Sequence, residues 1–200
     1  MITGQFNNQI FAKERWNSKL MNYWEENNPE ALLNRFTDKL DNNIPISSLN
    51  LNKLYVITTS RSASASELLI NGLDPYIDVV HIGDYTVGKN QGSITVYDYI
   101  NHSRDKNPNH KYAMQPIVLK IGNVAGYTDF PDGLIPDIIK KESISNPGIL
   151  GDLEEPLLKI ALDNIRGIQT PISQTEDYNQ IEKPTDEIYQ RIEINKKTIE

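Results

Sequence analysis

The chain has 200 residues, no cysteine and a formal net charge of −7, with a mean hydropathy of −0.50. The length is enough for one domain with a sizeable core. The acidic balance argues against non-specific nucleic-acid binding, and the lack of cysteine excludes disulfides and thiolate metal sites. No stretch approaches a membrane span, and MITGQF at the start has neither the basic residues nor the apolar core of a signal peptide.

In chain order, residues 9–16 (QIFAKERW) read as a strand. Leu20, Met21, Tyr23 and Trp24 then form a helical stripe, broken at Asn27-Asn28-Pro29. Residues 29–40 predict a second helix, with Pro29 in the first turn and Leu32, Leu33, Phe36 and Leu40 on one face. Trp16, Tyr23 and Trp24 are read as packing residues, with a substrate cleft as the alternative.

The apolar, β-branched run at 54–58 (LYVIT) predicts a strand. A cluster of small residues follows, Ser62-Ala63-Ser64-Ala65-Ser66, and Glu67 then opens a helical pattern through Leu68, Leu69 and Leu73. A second apolar run, 79–82, ends at Gly83, and a turn delivers Gly88-Lys89. If the two strands are parallel neighbours, Ser64 and Lys89 emerge at one carboxyl edge of a sheet, where open α/β sheets hold their sites. Further strands are predicted at 93–99 and 112–121, the latter with Pro116 at an edge or bulge. The segment 100–110 between them reads as a polar loop. His102 and His110 are read as surface residues of that loop, and His81 as a packed or hydrogen-bonded core histidine. A helix is predicted at 154–165, with Pro156 in its first turn. From residue 166 onward polar residues dominate, and an extended, mobile tail is expected over 166–200, leaving 1–165 as the folded domain.

Three readings compete for the segment from Ser62 to Lys89. The first is a Ser–Lys dyad. A serine hydroxyl is a weak nucleophile that needs a neighbouring base. A lysine serves only when neutral, so its pKa must fall by roughly three units from about 10.4. Val80, Ile82 and Val87 are the apolar neighbours expected to cause that fall. A helix start offers N–H groups to an oxyanion, and Ala63 and Ala65 leave room for a substrate backbone. The second reading is structural, because Ser64-Ala65-Ser66-Glu67 is also a capping box. The third is a phosphate loop, since Gly83 to Lys89 fits G-x-x-x-x-G-K, but Asn90 stands where a hydroxyl would hold magnesium.

The segments SASASE and VVHIGDYTVGK, with Lys89 placed 25 residues after Ser64, resemble the carboxyl-terminal processing (tail-specific) serine peptidases. The register is most like that of Bacteroidetes-type members. The resemblance implies Ser64 as nucleophile, Lys89 as general base and the Ala65 N–H as an oxyanion donor. Many members carry a base-orienting glutamine four residues after the lysine. Here that position is Ser93 and the nearest glutamine is Gln91, so either is a candidate for the role. Gly133-Leu134-Ile135-Pro136-Asp137 resembles the family's Gly-Ile-x-Pro-Asp element, expected to fix a turn.

The family's upstream glycine segment, which supplies a second oxyanion donor, and its PDZ module do not occur in these residues. The chain is therefore expected to correspond to the C-terminal half of a longer peptidase and to turn over poorly alone. The implied fold is α/β, of the kind shared with the crotonase and Clp-protease group, incomplete at its N-terminus. The implied substrate is a protein or peptide bound as an added strand, without metal or cofactor, and the implied location is the periplasm or cell envelope. The alternative is a non-catalytic, peptide-binding remnant.

Overall fold

The computed structural model describes residues 4–143 and 145–168. The elements are β1 (Ile10–Trp16), α1 (Ser18–Asn27), β2 (Leu33–Arg35), β3 (Lys53–Thr58), α2 (Ala65–Leu73), β4 (Asp78–Gly83), β5 (Gln91–Ser93), β6 (Val96–Tyr97), β7 (Ala113–Met114), β8 (Ile117–Gly122), β9 (Ile138–Ile139) and α3 (Pro156–Ile165). Among the described residues they build three sheets. One is parallel, in the order β3-β4-β9; a second is antiparallel, β2-β1-β8-β5; the third is the small ribbon β6-β7. The α/β class expected from the sequence is what the chain forms.

The unit that positions the site is β3-α2-β4. Lys53 pairs with Asp78 and Thr58 with Gly83 in a continuous parallel register, so both strands end at the same edge. Two β-branched strands joined through a helix are the arrangement in which parallel pairing is found. Helix α2 packs on β4 and also on β1 and β8, which makes it the element common to both larger sheets. Its buried face carries Ile70, Gly72 and Leu73. At Gly72 an added Cβ would lie 2.4 Å from the Phe11 ring, so only glycine admits β1 this close. Helix α3 packs on β3 and β4 through the buried Leu157 and Ala161.

Three predicted elements are corrected. Residues 29–40 do not form a helix. Pro29–Leu32 makes a single 3-10 turn and Leu33–Arg35 then pairs with β1. The pairing continues through hydrogen bonds between Phe36 N–H and Gln9 O and between Asn8 N–H and Phe36 O, both 2.9 Å. Phe36 enters an aromatic cluster with Phe6, Phe11 and Tyr76 at centroid distances of 5.1–6.1 Å, while Leu40, on the presumed helix face, is 53% exposed. Strand pairing and aromatic burial override the local helical pattern. The predicted strand 93–99 divides into β5 and β6, and 112–121 into β7 and β8. The divisions fall at residues 94–95 and at Gln115-Pro116, the second because proline cannot donate to the ladder.

The expected tail lies outside the described residues except for Arg166, Gly167 and Ile168. These close α3 with N–H bonds to Leu162, Asn164 and Asp163 carbonyls. No helix among the described residues is long and apolar enough to cross a membrane.

His81 is buried in β4, as expected. Its Nε2 lies 2.6 Å from Thr58 Oγ1, and its backbone N–H donates to Asp137 Oδ2 at 2.8 Å. Burial lowers its pKa below the usual 6.5, opposed in part by Asp137 and by the Ile135 carbonyl. A histidine lowered in the fold takes up its proton more readily when unfolded. Its contribution is therefore complete above the unfolded value near 6.5 and is lost as pH falls through that value toward the folded one. The urea midpoint should drop between pH 7.5 and pH 5, and His81→Gln should flatten that part of the pH dependence. An equal slope in the variant would exclude His81 as the titrating group.

Candidate active site

Ser64 is the N-cap residue of α2 and has φ 57° and ψ −110°. This conformation is outside even the left-handed helical region and is one that L-residues rarely adopt; holding it costs about 1–3 kcal/mol. Such a turn between a strand and a helix is how a nucleophilic serine is raised above a sheet, and Ser64 is exposed. The other serines of the cluster differ. Ser62 Oγ accepts from Thr59 N–H at 3.1 Å, and Ser62 O accepts from Val87 N–H at 2.9 Å. Ser66 lies within α2.

The elbow is held by Glu67, whose side chain is fully buried. Its Oε2 accepts from Ser64 N–H at 2.7 Å and from Lys89 N–H at 2.9 Å. Its Oε1 accepts from Thr86 Oγ1 at 2.6 Å and from Gly88 N–H at 2.5 Å. One carboxylate thus binds the serine elbow and the Gly-Lys turn together. The amides of Ser64 and Lys89 meet on a single oxygen, so their backbones are separated by no more than two hydrogen bonds end to end. The capping-box reading was right about the Glu67 half. It did not foresee that the same side chain reaches 21 and 22 residues ahead, to Gly88 and Lys89. Thr86 was also missed, because a hydroxyl in a turn carries no periodic signal.

Gly88 has φ +86°, and an added Cβ would lie 2.2 Å from Pro131 O. The Gly-Lys turn therefore needs glycine for its conformation and for the close passage of the neighbouring loop. Lys89 is exposed. Among the described residues, the apolar neighbours expected around it leave it exposed. Ile82 is fully buried inside β4, and Val87 is 45% exposed. Val79 and Val80 of β4 are half-buried, upstream of the turn that carries Lys89.

Gln91 and Ser93 lie on β5, in register with Lys120 and Ile117 of β8. Among the described residues neither side chain hydrogen-bonds Lys89. Ala65 is exposed at the first position of α2, where a backbone N–H has no partner within the helix. The phosphate-loop reading fails on structure. Asn90 donates its side-chain amide to Thr128 O, and the next element is the strand β5, so no helix begins after the Gly-Lys turn as a phosphate loop requires. No group of His, Cys, Asp and Glu able to hold a metal ion occurs among the described residues.

No protein-family model matches the sequence, and a search of curated proteins finds no match. Among solved structures, the chain is similar to a putative S41 protease from Bacteroides fragilis. The TM-score is 0.66 at 26% sequence identity, over 85% of this chain and 40% of that chain. The photosystem II D1 C-terminal processing protease is matched more weakly. Its TM-score is 0.42 at 18% identity, over 74% of this chain and 30% of that chain. The chain has a protease-like fold, and the resemblance read from the sequence is found again in the structural similarity to an S41 protease. It spans two-fifths of that protease's length.

Glu67→Gln replaces an acceptor oxygen with an NH₂ group that must face N–H or O–H donors. We expect a loss of about 2–4 kcal/mol in unfolding free energy, read as a lower urea midpoint with an unchanged m-value. Gly88→Ala should cost a similar amount through positive φ and overlap with Pro131 O. Wild-type stability in both variants would mean that the carboxylate and the tight passage are not structural anchors.

Proposed function

We propose that this chain carries the reacting serine and lysine of a serine peptidase that cleaves extended or C-terminal segments of protein substrates. The observation that supports this reading best is the strained, exposed Ser64, whose amide shares one Glu67 oxygen with the amide of Lys89. In this reading neutral Lys89 Nζ takes the proton from Ser64 Oγ as the oxygen attacks the scissile carbonyl. The Ala65 N–H and the positive end of α2 receive the oxyanion. Lys89 then passes its proton to the leaving amine, and water releases the acyl group by the same route.

Lys89 is exposed in the chain alone, so the dehydration that keeps it neutral is assigned to the bound substrate covering it. Gln91 or Ser93 would orient the ammonium. Substrate would add as a strand to the sheet, and the scheme uses no metal or cofactor. A crotonase or Clp-protease-like core and a periplasmic or envelope location belong to the same reading. The alternative is a non-catalytic peptide-binding fragment. It is favoured by the single oxyanion donor assigned within these residues.

Two measurements test the reading. Ser64 should be labelled by a fluorophosphonate, and both Ser64→Ala and Lys89→Arg should abolish labelling and cleavage of an unfolded protein. Arginine stays charged and cannot accept the proton. Ser62→Ala and Ser66→Ala should retain most labelling, and equal loss at all three serines would identify a structural cluster instead. Residues 1–200 alone should cleave about 100- to 1000-fold more slowly than a longer chain that supplies the second oxyanion donor. Comparable, Ser64-dependent cleavage by the short chain would show that it builds a complete oxyanion hole itself.

A further inference from the structure

We infer that Thr86 is a positioning residue that couples the Gly133–Asp137 turn to the placement of Ser64 and Lys89. The inference rests on the peptidase reading for its consequence, but its geometry is independent of it. Thr86 is 5% exposed. Its Oγ1 donates its one proton to Glu67 Oε1 at 2.6 Å and accepts from Leu134 N–H at 2.7 Å. Thr86 N–H returns a bond to Leu134 O at 3.3 Å. Gly133 has φ +97°, and an added Cβ would lie 1.9 Å from Thr86 O. The turn therefore presses against the residue whose hydroxyl it also anchors.

The contacts form one series. Leu134 N–H fixes the Thr86 hydroxyl, the hydroxyl fixes Oε1 of Glu67, and the other oxygen of that carboxylate fixes the amides of Ser64 and Lys89. The carboxylate is planar and turns about its last bond. Fixing one oxygen sets the direction in which the other presents its acceptor sites. Without the Thr86 hydroxyl, Oε1 keeps only the Gly88 N–H, and the tie that runs from Leu134 N–H through the hydroxyl to the carboxylate is lost. Thr86 touches neither reacting atom. It acts through Glu67.

The test compares Thr86→Val, which keeps the shape and removes the hydroxyl, with Thr86→Ser, which keeps the hydroxyl. Amide hydrogen exchange is followed residue by residue in the full chain at a temperature where all variants are folded. In Thr86→Val, exchange at Ser64, Gly88 and Lys89 should accelerate together by about tenfold or more, and Thr86→Ser should restore protection. Acceleration confined to Leu134, or spread evenly over β3 and β4, overturns the inference. Fluorophosphonate labelling of Ser64 is the second readout. Its rate should fall about ten- to a hundredfold in Thr86→Val and recover in Thr86→Ser. Undiminished labelling in Thr86→Val, in a chain whose Ser64 reacts, also overturns it. A wild-type Ser64 that does not react counts against the proposed function, and the exchange comparison then decides on Thr86 by itself.

Discussion

A buried carboxylate with four donors on it is the constraint around which this chain is arranged. Glu67 receives Ser64 N–H, Lys89 N–H, Gly88 N–H and the Thr86 hydroxyl. A carboxylate removed from water is costly unless its lone pairs are satisfied, and bonds to a charged acceptor are the stronger kind. The two segments that meet here are loops. Without a common acceptor, their amides would be orphans at the start of a helix and in a turn. The carboxylate satisfies both at once, and that shared need brings the elbow and the Gly-Lys turn together.

The parallel pairing of β3 and β4 makes this meeting possible. It ends both strands at one edge, from which the chain leaves through Ser64 in one case and Lys89 in the other. Helix α2 then carries Glu67 under the edge while its far end rests on β1 through Gly72 and Phe11. The antiparallel sheet thus supports the elbow from behind, although it contributes no proposed reacting side chain. The positive φ of Ser64 is a local cost that the surrounding bonds over-determine. Backbone held this way by several independent contacts is characteristic of sites whose geometry must exist before a ligand arrives.

The exposed side chains of Ser64 and Lys89 contrast with the rigid, buried frame beneath them. The frame sets where the backbones sit and leaves the water content above them to whatever covers the edge.

Much of this was legible in the residues. The apolar, β-branched runs at 54–58 and 79–82, the small residues of 62–66, and Gly88 before Lys89 are local signals. The elements they predict formed within a residue or two because nothing elsewhere opposes them. The failures occurred where a local pattern had a stronger non-local competitor. Leu32, Leu33, Phe36 and Leu40 fit a helix face, but β1 offers ladder bonds and the ring of Tyr76 offers Phe36 an edge-on contact at 5.1 Å. Glu67 looked like half of an ordinary helix cap because its nearest donor, on Ser64, is three residues away. The sequence by itself determined that a serine elbow and a Gly-Lys turn would each exist. Only the tertiary structure decided that one carboxylate holds both, because the bonds from Thr86, Gly88 and Lys89 span about twenty residues and form only once β3 and β4 have closed the loop between them.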